Sequence, residues 1–392
     1  MPEEKEIPEE KREEKAFLNT NRIKAPPKKS TKSWWIKTTL LLILVGVSIA
    51  MLFTLGNELN QGGASQLSFA QLVKTINYPR LILLLGVVIL YIVVESSKYS
   101  YMLKINTGKF RFLTSVKTMF LGKYYDGVTP FNTGGQPFQI YYLHKKKDIP
   151  SGAATAIPIM RYAVSILFLS VVSIVFLVLT PHFFESSTIT TTVLIISWIS
   201  LVINVAFPIM VVLFSIFPKP CKKVIVVFVK LLSKLRLVKQ RYKTTEKYLR
   251  GLTEYSSSLR QFGRQFYKYI PVILLCVVEV SLLLSIPFFV VIAIGNVEPT
   301  LELLMQIACL VIITRYTALL IPTPGNTGGT EAAGTLVFTT ITAASIGSVI
   351  GWSLLTWRFL TYYVYILAGI GINIFEIIRS AVRNKRANKL NK

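Results

Sequence analysis

Thr129-Pro130-Phe131-Asn132-Thr133-Gly134-Gly135 returns, changed only at its third position, as Thr323-Pro324-Gly325-Asn326-Thr327-Gly328-Gly329. Each copy interrupts a region that is otherwise apolar: 112–144 is broken from Asp126 to Pro137, and 302–344 from Pro322 to Gly329. In hydrocarbon, non-helical backbone survives only where protein or a water-filled cavity covers it. Glycines after Asn-Thr predict turns closed to other residues, with backbone N–H groups free to approach a bound group. A helix starting beyond each pair would aim its positive end at that group, which suits a phosphate. The plainer alternative is a pair of tight turns that let helices pack.

Working outward, the chain of 392 residues is 52% hydrophobic and 16% charged, with a mean hydropathy of +0.53. Soluble domains carry about 25% charged residues. Apolar runs long enough to cross a bilayer, roughly 20 residues each, lie at 38–57, 80–102, 152–180, 189–217, 268–295 and 347–378. The expected fold class is therefore an all-α integral membrane protein. It is read as a polytopic helical bundle of six full spans plus two broken or re-entrant hairpins, about eight transmembrane segments in all.

After each motif comes a span with an arginine beside an aromatic residue, Arg161-Tyr162 and Arg358-Phe359. Motif and intramembrane charge thus recur together, the pattern of a duplicated transporter core. Basic residues cluster at Arg22–Lys37, Lys104–Arg111, Lys145–Lys147 and Lys219–Lys268, whereas 58–79, 181–188 and 296–301 are nearly free of them. The positive-inside rule then places both termini in the cytoplasm and makes the two halves an inverted repeat. The expected location is the cell membrane. Domain limits follow: a disordered cytoplasmic tail at 1–33, a membrane domain at 34–378 with a basic cytoplasmic loop at 218–267, and a basic tail at 379–392. The first apolar run begins too late for a cleaved signal peptide and reads as an uncleaved span. Lys230–Arg250 is expected to form an interfacial helix on anionic inner-leaflet lipid, and no nucleic-acid partner is expected.

The net charge is +25, and seven of the 19 acids sit before Lys15. Beyond them the only aspartates are Asp126 and Asp148, which excludes paired-aspartate metal chemistry. His144 and His182 have no metal-binding spacing, Cys221, Cys276 and Cys309 form no paired framework, and no phosphate-binding P-loop occurs. No metal or cofactor is expected.

Arg161, Arg315 and Arg358 lie deep in apolar runs, where an arginine costs about 2.5–3.5 kcal/mol even on the lenient insertion scale. Glu95, Glu279 and Glu331 have similar surroundings, so the charges either neutralise one another or face a polar cavity. Arg161 and Arg358 recur after the repeat and are assigned to a lipid phosphate. Asp126, Glu95, Glu279 and Arg315 are assigned to proton coupling or charge pairing. The tyrosines Tyr141-Tyr142 and Tyr362-Tyr363-Tyr365 read as an interfacial belt.

The blocks Gly134–Leu143 (GGQPFQIYYL) and Ile321–Ala333 (IPTPGNTGGTEAA) resemble the lysylphosphatidylglycerol synthase transmembrane-region family, the flippase-like domain, over roughly residues 35–380. The matching positions are Asn132, Gly134, Gly135, Gln136 and Pro137 in the first block. In the second they are Pro322, Pro324, Gly325, Gly328, Gly329 and Glu331. The resemblance implies a lipid-handling domain that, in bifunctional members, moves aminoacylated phosphatidylglycerol outward and raises resistance to cationic peptides. Those members continue into a soluble domain that takes the aminoacyl group from tRNA. Here the longest polar stretch, 218–267, is too short for such a domain with its own core, so autonomous transfer is not expected.

The leading expectation is a lipid translocase for a phosphate-bearing head group: an aminoacylated phosphatidylglycerol, a glycolipid or a polyprenyl phosphate. Its site would comprise Asn132, Thr133, Gly134, Gly135, Gln136 and Arg161 from the first half. The second half would supply Asn326, Thr327, Gly328, Glu331, Gly329 and Arg358. An inside-negative potential contributes about 2.3 kcal/mol per charge per 100 mV, favouring outward movement of an anionic head group. A net-cationic lipid would need coupling, for instance to a separate lipid synthase. The alternative is a phosphatidylglycerol lysyltransferase-family enzyme or subunit acting at the membrane surface, with Asp126, His144 and Asp148 as its candidate bases. A scaffold for envelope biosynthesis explains the basic loop but leaves the duplicated motif without a role.

Overall fold

The computed structural model describes residues 69–184, 191–216, 266–338 and 349–390, with scattered positions between 222 and 249. The expected tail at 1–33, the span at 38–57, most of the 218–267 loop with its interfacial helix, and Cys221 lie outside the described residues. Everything that follows belongs to one compact unit, which begins at Val47.

The described elements are α1 (Phe69–Thr75), α2 (Tyr78–Thr107), α3 (Phe112–Gly127), α4 (Gly135–Lys147), α5 (Ser151–Phe183) and α6 (Thr191–Ile216). They continue with α7 (Ile270–Ile294), α8 (Leu301–Leu319), α9 (Gly329–Phe338), α10 (Ile350–Arg358) and α11 (Val364–Leu390), the last two joined by a π-helical turn at Phe359–Tyr363. No strand occurs among the described residues. This is an all-α polytopic membrane fold.

Local chemistry sets the helix ends. Asn77 caps α2 by accepting the Arg80 N–H at 3.2 Å, and Gly108 ends it in the left-handed region at φ 73°. Thr300 caps α8 through the Leu303 N–H at 3.1 Å. Prolines 158 and 181 sit inside α5, and Pro287 inside α7. Such prolines are tolerated in buried apolar helices because neighbouring groups re-satisfy the freed backbone.

Helices long and apolar enough to cross a membrane are Tyr78–Thr107, Ser151–Phe183, Thr191–Met210, Tyr267–Ile294, Leu301–Leu319 and Gly351–Glu376. Most coincide with expected runs. Leu301–Leu319 does not: it was read as half of a broken region, yet it is itself of spanning length, because the break at Pro322 falls after nineteen helical residues rather than among them. The C-terminal helix also continues as far as Leu390, into the segment expected to be a tail.

α2 packs along α7, and α8 is enclosed by α5, α6, α7 and α9. Leu169, Leu201, Leu284, Leu310, Ile313 and Tyr316 form the core around α8. A second cluster joins Leu84, Tyr91, Met119, Ile286, Leu360 and Tyr365 across α2, α3, α7, the π turn and α11. Each motif is the tip of a hairpin: α3 packs on α4, and α8 on α9. In the first hairpin, Tyr125 stacks on Phe138 at 3.7 Å between centroids, and Gln139 donates to the Thr118 carbonyl at 3.2 Å.

Candidate functional site

The two hairpin tips meet. Pro130 and Pro324, which hold the same place in the two motifs, form an isolated antiparallel β-bridge. Tyr362 in the π turn ties the tips from the side: its hydroxyl donates to the Gly127 carbonyl at 3.0 Å and accepts from Thr327 Oγ1 at 3.4 Å.

The motif backbone departs from the expectation for its glycines. In the first copy, positive φ falls on Phe131 (56°) and Asn132 (53°), while Gly134 has a φ of −82° and Gly135 opens α4. In the second it falls on Gly325 (62°), Asn326 (52°) and Gly328 (83°). Gly134 and Gly135 are required for close approach instead. A Cβ on Gly134 would stand 2.8 Å from the Tyr125 carbonyl oxygen, and one on Gly135 would stand 2.6 Å from Asp126 Oδ1.

The amides expected to cradle a phosphate are taken by the protein itself. Gly134 N–H donates to Thr129 Oγ1 at 2.8 Å, and Gly135 N–H to Asp126 Oδ1 at 2.7 Å. Gly328 N–H donates to Glu331 Oε2 at 2.7 Å. A carboxylate thus stands where a positive helix end favours an anion. The first copy recruits it from before the motif and the second from after. Thr133 Oγ1 donates to the Pro130 carbonyl at 3.1 Å, while Thr323 Oγ1 donates to the Thr327 carbonyl at 2.7 Å.

The copies also differ in exposure. Phe131 and Thr133 are exposed, with Asn132 and Gln136 half-buried, whereas Gly325, Asn326 and Thr327 are buried. Asn326 Oδ1 is buried without a hydrogen-bond partner, and Gly329 packs against Ile321. One tip therefore presents polar groups outward and the other holds them inside.

Behind the tips lie buried ion pairs. Arg161 Nη1 meets Glu95 Oε1 at 3.0 Å, and Lys123 Nζ lies 3.3 Å from Glu95 Oε2, close enough to pair but not aligned as a hydrogen bond. Arg358 Nε donates to Glu331 Oε1 at 2.8 Å, with its guanidinium 4.4 Å over the Tyr362 ring. Glu331 therefore serves both an arginine and a glycine amide. Arg161 and Arg358, assigned to a lipid phosphate, are neutralised within the chain, although Arg161 Nε and Arg358 Nη2 remain buried without partners. Glu279 pairs not with an arginine but with Lys98, fully buried and also hydrogen-bonded to Ser165 Oγ at 2.6 Å.

Lys98 and Lys123 were missed. Both lie within apolar regions read by their length, and a tally of every charge inside those regions would have raised them. The tyrosine belt is also corrected: Tyr142, Tyr363 and Tyr365 are buried, because they lie on inward faces of α4, the π turn and α11, and Tyr362 is half-buried between the tips. Tyr141 alone of that group is exposed. Cys276 and Cys309 are free and buried.

The sequence matches the family described as Lysylphosphatidylglycerol synthase TM region over residues 34–369. The chain belongs to that family. No curated relative and no solved structure matches it. As a member of the Lysylphosphatidylglycerol synthase TM region family, it is a multi-pass membrane domain related to lipid modification or translocation. Both copies of the repeated motif fall inside the matched residues.

Proposed function

We propose that this chain moves a phosphate-bearing polar lipid between the leaflets of the cell membrane, with both termini cytoplasmic. The lipid class is aminoacylated phosphatidylglycerol or a related glycolipid or polyprenyl phosphate. The observation that carries the reading is the pairing of the two hairpin tips through Pro130 and Pro324. At 1.5 Å per residue α4 is only about 20 Å long, short of the roughly 30 Å of hydrocarbon, so its hairpin enters and returns. Non-helical backbone at that depth is covered by protein or lines a polar space. A half-penetrating first hairpin whose tip meets that of the second, backed by neutralised charges, would supply a polar path that a head group can traverse.

The transferase alternative receives less support. Asp126 is committed to the Gly135 amide, and His144 Nδ1 faces the Ile149 carbonyl at 3.0 Å. Asp148 is exposed at the end of α4, and about 13 Å of helix separates the turn that Asp126 caps from His144. Those groups do not converge on one reacting atom. The basic loop at 218–267 would hold anionic inner-leaflet lipids and, in a coupled system, keep a separate lipid synthase near the entry.

Leaflet-resolved lipid analysis of cells with and without the gene tests the reading. A polar lipid made in normal amount but trapped in the inner leaflet when the gene is lost is the expected result. Disappearance of that lipid from the total pool would overturn translocation in favour of synthesis.

A further inference from the structure

Of the three deep arginines, two are spent on carboxylates: Arg161 on Glu95 and Arg358 on Glu331. Arg315 is different. It lies on α8, the most enclosed of the six helices of spanning length. Of its neighbours one turn away, Val311, Ile312 and Ala318 are buried and Leu319 is half-buried, while Thr314 and Tyr316 beside it are buried. Arg315 nevertheless is exposed. The helix is covered from Ile307 to Thr314, and exposure returns at Arg315, Leu320 and Pro322, so the guanidinium opens where α8 runs out into the second tip.

Among the described residues, no ion pair or hydrogen bond reaches the Arg315 guanidinium. Tyr162 of α5 lies within electrostatic range of Arg315, Asp126 and Arg161. Arg315 thus shares a neighbourhood with the first hairpin and with the Arg161 turn. The carboxylates behind the tips are committed: Asp126 caps Gly135, Glu95 holds Arg161, and Glu331 holds Arg358 and Gly328. An uncompensated arginine inside an apolar helix costs about 2.5–3.5 kcal/mol. Such a residue calls for an anion that the chain itself does not supply.

We propose that Arg315 binds the phosphate of an anionic lipid head group where α8 meets the second tip, and that Arg161 and Arg358 do not contact it. A guanidinium presents paired N–H donors that match two phosphate oxygens, a geometry lysine cannot reproduce. The lipid source of the phosphate rests on the translocation reading; the phosphate chemistry rests on the unspent guanidinium alone.

The test uses the full chain in neutral detergent, following its thermal unfolding while dihexanoyl-phosphatidylglycerol, dihexanoyl-phosphatidylcholine or inorganic phosphate is titrated in. The phosphatidylglycerol probe is expected to stabilise the wild type. In Arg315→Gln the half-saturating concentration should rise by about tenfold or more, as for loss of a charge-assisted hydrogen bond. Arg315→Lys should fall between, because charge remains and the fork is lost. Glu95, Arg161 and Arg358 stay intact in both variants, so neither basal midpoint should fall below that of the wild type. Stabilisation by inorganic phosphate alone, lost in Arg315→Gln, would keep the site and assign it to a free anion. Equal titrations of wild type and Arg315→Gln, or no response of the wild type to any probe, would overturn the proposal. Movement of fluorescent phosphatidylglycerol in proteoliposomes is read separately: a wild type that binds through Arg315 but moves no lipid leaves the site standing and rejects translocation.

Discussion

Pro130 and Pro324 face each other in an antiparallel bridge, although nearly two hundred residues of chain separate them. Two copies of one motif have become the two sides of one contact. Their supports are unequal: Asp126, from the helix before the first motif, caps Gly135, whereas Glu331, from the helix after the second, caps Gly328. Each tip holds a carboxylate, and the two are supplied from opposite sides of the motif. On the translocation reading, a contact between unlike copies would open on one side without opening on the other, as alternating access requires.

Tyr362→Phe should weaken the contact without removing the ring that packs over Gly325 and beneath Arg358. The variant loses hydrogen bonds to the Gly127 carbonyl and to Thr327 Oγ1. Together they are worth about 1–2 kcal/mol. A lowering of the unfolding midpoint by a few degrees is expected, with a disproportionate change in lipid movement. An unchanged transport rate in a protein whose midpoint has dropped would show that the tips do not gate.

Gly135→Ala places a methyl group 2.6 Å from Asp126 Oδ1, so the carboxylate must leave the amide it caps. About 2 kcal/mol or more of destabilisation is expected from the overlap and the lost charge-assisted bond. Asp126→Ala removes the bond alone, about 1–2 kcal/mol. Because the two act on one contact, Gly135→Ala/Asp126→Ala should be less destabilised than the sum of the single variants. Additive effects in an unfolding cycle would mean that the alanine collides elsewhere.

Glu331→Gln leaves Arg358 charged and buried against a neutral amide. Breaking a buried pair by removing one partner costs about 3–5 kcal/mol. Glu331→Gln/Arg358→Met removes the stranded charge while glutamine can still accept from Gly328, so its unfolding midpoint should recover most of the loss. If the double variant folds normally and still moves lipid, Arg358 is structural. Normal folding with abolished transport would return Arg358 to the head-group site.

The apolar runs were legible because span length and composition are properties of contiguous sequence. The motif was legible because its copies are nearly identical. Pairing was not. Arg161 meets Glu95 from 66 residues away and Lys98 meets Glu279 from 181, so the partners depend on which helices pack and at what register. The same limit explains the tyrosines: Tyr363 and Tyr365 look like an interfacial belt until the π turn and the packing on α2 and α3 turn them inward. The glycines were flagged at the right positions for a partly wrong reason, since the close approach of Asp126 and Tyr125, not positive φ, requires Gly134 and Gly135.

The two lysines behind the tips offer a ranking that follows from counting partners. Glu95 is held by Arg161 and approached by Lys123, which is half-buried and also donates to the Tyr91 hydroxyl at 2.8 Å. Glu279 has Lys98 as its only cation among the described residues, and Lys98 is fully buried. Lys123→Met therefore leaves Glu95 paired, whereas Lys98→Met leaves Glu279 with only the weak donors Ser165 and Cys276. An unpaired buried carboxylate accounts for most of the cost of breaking such a pair. Lys98→Met is expected to lower the unfolding midpoint well beyond Lys123→Met, and Lys98→Met/Glu279→Leu should recover much of the difference. Unfolding of the purified variants in one detergent measures the order directly. The reverse order would mean that Lys123, not Arg161, carries the neutralisation of Glu95, and that the cluster behind the first hairpin is organised around α3 rather than around α5.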